Sequence, residues 1–365
     1  MFILTSLLQS PLSWIRAEVT ASHTGAWIIL SLASIGFITF IKYPISLIQL
    51  ILTFTPFSRP FRIPLSKLTK NKISDKGPSA WAIITGPTGG IGKEFAIQLA
   101  RAGFSLFLVG RNETKLKALE LELGSHLKRS SLIKLHAIDL ADPTESDWSS
   151  FEQAITAASE LAPISILVNN AGLSHASPVP FESTPLAELN SITAVNVLAP
   201  VRLTKIVVPF MIRHRAGLIL NIGSFSALVP TPLLATYAGT KAFLYTWSQA
   251  LGTELESKGI HVRLLNTYFV ASEMSKIRKS SFMIPSPKTY VRSVLSTLGL
   301  QGGAIGKAYI STGYLAHALV QWFVDRFGTE YFWLKYNLNL QKSIARRVEL
   351  KRIRLEKSKK DQKLI

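Results

Sequence analysis

The sequence predicts a doubly wound α/β fold, a parallel sheet covered by helices on both faces. Short runs rich in β-branched and aromatic residues recur from Ser79 onward: "WAIITG", "FSLFLVG", "IKLHAIDL", "ISILVNNAG", "LILNIGS" and "HVRLLNTYFV". They are continuously apolar rather than alternating, as strands buried on both faces must be. Helical stretches separate them, 91–102 and 112–123 among them, which supplies the crossovers that parallel strands need. The first run also feeds directly into a glycine-rich turn and a helix start, "TGPTGGIGKEFA".

Upstream of this domain the pattern is different. Residues 26–41, "AWIILSLASIGFITFI", carry no charge, and a second apolar run, 45–54, follows Lys42-Tyr43-Pro44. The first run alone would span about 24 Å as a helix, short of a hydrocarbon core of about 30 Å. The two together suffice, so 26–54 is expected to be a transmembrane anchor, with a kink at Pro44 and Lys42 reaching toward an interface. Residues 55–76 hold six Lys or Arg against one Asp, whereas only Arg16 precedes the span. That asymmetry puts residues 1–25 in the lumen and everything after the span in the cytosol. With its prolines, 55–78 reads as a basic linker. The catalytic domain is expected over 79–300.

Two further segments follow. Residues 301–340 are expected to be a substrate- or membrane-associated segment, since 314–336 gathers Trp322, Phe323, Phe327, Phe332 and Trp333, with Gly328 as a break. Aromatics beside cations suit a membrane interface, and a lid over the catalytic domain suits them equally. Residues 341–365 form a basic tail, ten Lys or Arg against three acids.

Composition narrows the chemistry. The 365 residues include no cysteine, which excludes a disulfide framework and thiolate-bound metal, and no His, Asp or Glu cluster suggests a metal site. The formal charge of +19 sits mainly in two blocks flanking apolar or aromatic stretches, a pattern for an anionic membrane surface. A nucleic-acid binder would need a basic face interleaved with aromatics on the sheet, and none is present.

In the glycine-rich turn, Gly86, Gly90 and Gly92 let the backbone approach a pyrophosphate, and the next helix offers it free N–H groups. At the end of the second strand an acidic residue would hold a ribose 2′-hydroxyl, but the sequence there is "VGRNE". Arg111 suits a 2′-phosphate instead, which favours NADPH over NADH.

Further on, Ser224 precedes Tyr237 by thirteen positions and Lys241 follows it by four. A second Tyr-x-x-x-Lys, Tyr331 to Lys335, has Ala318 where the hydroxyl would be needed. "TGPTGGIG", "NNAG" at 169–172, Asn196 in "VNV", Ser224 and "YAGTK" at 237–241 occur in that order. Together they resemble the short-chain dehydrogenase/reductase family, a Rossmann-like fold, over roughly residues 80–275.

The chemistry explains the residue types. Hydride delivery to a ketone builds negative charge on oxygen, which calls for a proton donor and a hydrogen-bond donor. Tyr237 is expected as general acid, its phenolate stabilised by the Lys241 ammonium one helical turn on. The resemblance implies that Ser224 fixes the carbonyl oxygen, that Lys241 also holds the nicotinamide ribose, and that Asn196 positions Lys241 through a water. It places Gly86, Thr88, Gly90, Ile91 and Gly92 around the diphosphate and Asp139 at the adenine. Asn169, Ala171 and Gly172 are to line the cofactor cleft, with Val270 and Ser272 on its nicotinamide side. There the family usually has Pro-Gly-x-Val-x-Thr, and this chain has "TYFVAS".

The anchor, residues 268–301 and residues 312–323 are similar to those of one branch of the family, the endoplasmic-reticulum very-long-chain 3-oxoacyl-CoA reductases. That resemblance implies NADPH-dependent reduction of an acyl-CoA substrate, with the condensing enzyme, dehydratase and enoyl reductase of fatty-acid elongation as partners at the endoplasmic-reticulum membrane. The branch often ends in a lysine-based retrieval signal; here the chain ends "KKDQKLI", a partial match. A reductase of steroid or other lipid ketones would share the same reaction centre. A catalytically silent cofactor-binding scaffold would not need it. The oligomeric state, a homo-oligomer included, is open at this level.

Overall fold

The computed structural model describes residues 23–69, 77–128 and 130–362. Residues 1–22 of the expected lumenal N-terminus and the last three residues therefore lie outside the described residues. The chain forms two compact units, one up to Leu52 and one from Thr53 onward.

The described residues of the first unit belong to helix α1, His23–Thr53, which runs through Pro44 without interruption. Its 31 residues would extend about 46 Å, more than enough to cross a bilayer. Trp27, Leu32, Phe37 and Phe40 are exposed along it. A second stretch, Leu186–His214, matches a span by length and composition, but half of it is buried within the protein.

The second unit holds a seven-stranded sheet in the order β3-β2-β1-β4-β5-β6-β7, parallel throughout. Its strands and helices alternate as β1 (Trp81–Thr85), α2 (Gly90–Ala102), β2 (Ser105–Gly110), α3 (Glu113–Gly124), β3 (Ile133–Ala137) and α4 (Glu145–Leu161). Then come β4 (Ile164–Asn169), α5 (Leu186–Thr193), α6 (Ala199–His214), β5 (Gly217–Ile222), α7 (Ala235–Glu256) and β6 (Ile260–Leu265). The chain closes with α8 (Pro287–Ser296), β7 (Ile310–Ser311), α9 (Leu315–Val324) and α10 (Glu330–Gln362).

Because successive side chains on a strand point to opposite faces, the apolar strands feed two cores. Ala82, Ile84, Leu106, Leu108 and Val168 pack with Phe95, Leu99 and Val291 of α2 and α8. Trp81, Ile83, Phe107, Val109 and Leu167 pack with Phe151, Leu203 and Val207 of α4 and α6. The strand order reverses between β1 and β4, and the crevice outside the strand ends at such a reversal is where ligands bind in open α/β sheets.

The structure departs from the expected segmentation in three places. The stretch 55–78 is not all tether: Leu68 is buried in the core, Ile63 N–H donates to Leu298 O, and Ala80 N–H donates to Thr69 O. Residue 300 is not a boundary, since β7 pairs with β6 and α9 buries Ala316, His317, Ala318 and Gln321. Residues 341–362 of the basic tail are helical, part of α10. Between α9 and α10 the chain turns at Gly328, where φ is +81°. Phe323, Phe327, Tyr331 and Phe332 around that turn are exposed.

Candidate active site

The loop after β1 has a closed base and an open crest. The chain turns at Gly86 with φ +62°, a left-handed conformation that a Cβ disfavours. A Cβ on Gly92 would collide with the Gly86 carbonyl oxygen and with the Asn170 amide, whereas one on Gly89 would meet nothing within 4 Å. Thr88 is exposed beside it, while Ile91 packs against the core. The base is fastened by Asn170, whose Nδ2 donates to Thr85 O at 2.9 Å and to Gly86 O at 3.0 Å. Thr85 Oγ1 in turn accepts from the backbone N–H groups of Asn170 and Ala171, at 3.0 and 2.9 Å. An open crest of backbone at the start of α2 fits a dinucleotide diphosphate.

The other expected cofactor residues are spread along the strand ends. Gly86 N–H donates to Val109 O, which brings the end of β2, and Arg111 just beyond it, beside the loop. Arg111 is exposed and has no side-chain partner among the described residues. Asp139, after β3, is exposed and accepts from Ala141 N–H at 3.0 Å. Val270 is buried in the core, and Ser272 lies across from Gly90, where an added Cβ would sit 3.5 Å from the Ser272 Cβ.

Asn169 is fixed from the interior side. Its side chain is buried and donates to Thr204 Oγ1 at 3.1 Å and Asn221 Oδ1 at 2.8 Å; Asn221 donates onward to Ser248 Oγ. It ties β4 to β5 in the interior, and Asn170 is the residue whose amide serves the loop. Ala171 and Gly172 are half-buried beyond it, and a Cβ on Gly172 would lie 3.7 Å from Lys241 Nζ.

The structure brings Ser224, Tyr237 and Lys241 together. Ser224 follows β5 and caps a 3₁₀ turn, Phe225–Ala227, by accepting from Ser226 N–H. Tyr237 and Lys241 lie on the first turns of α7. Burial raises the Tyr237 phenol above its ordinary pKa, and a hydrogen bond with Ser224 opposes the rise. Lys241 is 6% exposed, and burial lowers its ammonium to about 8. Its Nζ donates to Ile222 O at 2.9 Å and lies 5.8 Å from the centre of the Tyr237 ring. Lys241 thus sits over the ring rather than at the hydroxyl, and in this state desolvation, not the ammonium, dominates the phenol.

Asn196 occupies a π-helical turn, Ala194–Leu198, between α5 and α6, a local widening that recurs at functional sites. Its Oδ1 accepts from Leu173 N–H at 2.8 Å; its Nδ2 donates to Leu173 O at 2.8 Å and to Thr240 Oγ1 at 3.0 Å. Thr240 Oγ1 donates to Tyr237 O at 2.7 Å. Asn196 therefore reaches the tyrosine's own helical turn through Thr240.

Thr85, Asn170 and Thr240 were not singled out from the sequence, although each stands inside a quoted motif. On α10, Tyr331 and Lys335 form a cation–π pair, with Tyr331 exposed. Among the described residues no group of His, Asp or Glu could hold a metal.

Residues 80–281 match the short chain dehydrogenase family model. The chain is 41% identical to a very-long-chain 3-oxoacyl-CoA reductase of Phaeosphaeria nodorum, over 84% of this chain and 89% of that protein. A protein of the same name from Mycosarcoma maydis is 44% identical, over 80% and 81%. Among solved structures, a 7β-hydroxysteroid dehydrogenase superposes with a TM-score of 0.60 at 20% identity, covering 73% of this chain and 99% of that one. A short-chain dehydrogenase from Sphingobium yanoikuyae in complex with NADPH gives 0.54 at 24%, covering 68% and 97%. These two support the fold. The family match and relatives of this identity along most of their length establish that the chain belongs to the short-chain dehydrogenase/reductase family.

Proposed function

We propose that this protein reduces very-long-chain 3-oxoacyl-CoA to (3R)-3-hydroxyacyl-CoA with NADPH, within fatty-acid elongation at the endoplasmic-reticulum membrane. The observation that carries the reading is the convergence of Ser224, Tyr237 and Lys241 in a chain whose close relatives bear that enzyme's name. When bound, NADPH would supply the hydride that the carbonyl carbon accepts. Ser224 donates a hydrogen bond to the carbonyl oxygen, and Tyr237 gives it the phenolic proton as charge develops there. Burial keeps the Tyr237 phenol protonated at neutral pH but also makes its proton harder to give up, so release of that proton depends on the nearby Lys241 charge.

Lys241, held by Ile222 O, keeps a positive charge over the Tyr237 ring and offsets the charge of the phenolate. Asn196 fixes the turn that carries Tyr237 by way of Thr240. Arg111, exposed beside the glycine loop, is suited to the 2′-phosphate that distinguishes NADPH. Asp139 serves the adenine, and Ser272 the nicotinamide side. The apolar α1 anchors the protein, with the catalytic unit in the cytosol where acyl-CoA and the other elongation enzymes are met.

The test is turnover by the full chain in non-ionic detergent of a 3-oxoacyl-CoA against a steroid ketone, each with NADPH and NADH. Preference for the acyl-CoA with NADPH is expected. A preference for the steroid would move the protein to the lipid-ketone reductases, and inactivity on both would make it a binding scaffold.

A further inference from the structure

Between β6 and α8 the chain runs through "VASEMSKIRKSS", residues 270–281, with three cations in four positions, Lys276, Arg278 and Lys279, against one acid, Glu273. All four are exposed, and Arg278 and Lys279 make no ion pair among the described residues. The segment is nonetheless built. Ser275 Oγ donates to Val270 O at 2.6 Å and accepts from Ser272 N–H, which fixes the loop where Ser272 faces Gly90. Lys276 has φ +57°, a left-handed backbone uncommon for a residue with a Cβ, and such outliers cluster at ligand clamps.

The Lys276 ammonium donates to Ala176 O on the loop that follows β4. That acceptor is itself held: Glu188 accepts from Ala176 N–H, at 3.4 Å, and pairs with buried His175 at 2.9 Å. Three residues beyond Ala176, Val179 N–H donates to Leu233 O, on the segment joining Ser224 to Tyr237. Three loops thus form one rim beside the reaction centre, and Lys276 ties two of them.

We infer that Lys276, Arg278 and Lys279 form a clamp for the phosphate groups of the coenzyme A moiety of the substrate. The inference rests on the acyl-CoA reading of the same site. Coenzyme A carries about four negative charges, and cations on the rim complement them while the acyl end lies at Tyr237. The cofactor's 2′-phosphate is not the ligand, because Arg111 follows β2, four strands from β6 in the sheet, or about 19 Å at the usual spacing. A phosphate oxygen is a stronger partner for an ammonium than a carbonyl oxygen, so substrate entry exchanges the Ala176 contact for a phosphate.

The experiment compares a 3-oxoacyl-CoA with the same 3-oxoacyl chain on N-acetylcysteamine, which has no phosphate, in non-ionic detergent without lipid. The wild type, Arg278→Ala/Lys279→Ala and Lys276→Met are assayed, the double variant keeping the Ala176 contact and so guarding against a collapsed loop. The double variant should raise the KM for the CoA ester about tenfold or more, with the KM for NADPH and the kcat/KM for the N-acetylcysteamine ester within about twofold. Arg278→Lys should restore much of it, and salt should weaken the CoA ester selectively.

Equal effects on both esters, or an effect on the KM for NADPH instead, would overturn the clamp while leaving the reductase reading intact. An unchanged CoA-ester KM, together with lost binding of the double variant to phosphatidylserine vesicles, would assign the cations to lipid headgroups and also overturn it. If the wild type reduces neither ester, the reductase reading and the clamp fall together.

Discussion

Replacing Lys241 with Met should abolish reduction and, in the same protein, make the fold more stable at neutral pH. Lys241 is 6% exposed and its ammonium is lowered from 10.5 to about 8 by burial alone. That gap corresponds to about 3 kcal/mol of penalty for holding the charge in the folded state. Methionine fills similar space without charge and adapts its shape. Loss of the Nζ to Ile222 O bond strands a carbonyl, at a cost of about 1 kcal/mol. The net gain of about 2 kcal/mol would raise the melting temperature of a unit this size by about 3 °C.

The sign of the pH dependence follows from which state holds the proton. Between pH 8 and 10.5 the unfolded chain binds a proton that the folded chain has lost, so wild-type stability rises with pH across that window. The variant has no such group, and its advantage should fade by about pH 10. The assay is thermal unfolding of the full chain in non-ionic detergent, without cofactor, at pH 7 and pH 10. A variant that melts below the wild type at pH 7, or an advantage equal at both pH values, would refute the idea that Lys241 is a charge kept at the expense of the fold.

Tyr237→Phe should remove ketone reduction while leaving NADPH binding, followed by fluorescence, nearly intact, whereas Tyr331→Phe should leave turnover unchanged. Arg111→Ala should raise the KM for NADPH about tenfold or more and that for NADH little, since a charge-assisted phosphate contact is worth about 1.5–3 kcal/mol; equal weakening would make Arg111 structural. Gly92→Ala should abolish cofactor binding by titration, because its Cβ has no place between the Gly86 carbonyl and Asn170. Turnover should decline as pH rises through about 8, where Lys241 loses its charge, and Lys241→Arg, if it retains activity, should move that decline upward.

The sheet was legible from continuous apolar runs at β1, β2, β4 and β5, and from apolar residues interleaved with polar ones at β3 (Ile133–Ala137) and β6 (Ile260–Leu265). The seventh strand, Ile310–Ser311, has two residues and no periodicity to read. "LLNTYFV" looked like one strand because its composition stays apolar, yet the ladder stops at Leu265 and the rest of the run turns away at the loop. The reaction centre was legible because Tyr237 and Lys241 need only helical spacing to share a face. The fastenings around it were not. Asn169 and Asn170 are identical in type, and only the register of β4 decides that one faces Asn221 and the other Gly86. Thr240 looks like a spacer inside "YAGTK" until the π-turn at Asn196 brings an amide to it.

The fastening of the glycine loop by Thr85 and Asn170 has a consequence for the energetics of binding. Fixing the backbone of one residue costs about 1–2 kcal/mol in conformational entropy, so a glycine-rich loop left free would charge that cost for several residues to any ligand that ordered it. Here four hydrogen bonds made by the protein's own groups hold the base of the loop. The entropy is lost once, when the chain folds, and is not demanded again at each catalytic cycle. A cofactor that must arrive and leave with every turnover then meets a backbone already fastened at its base.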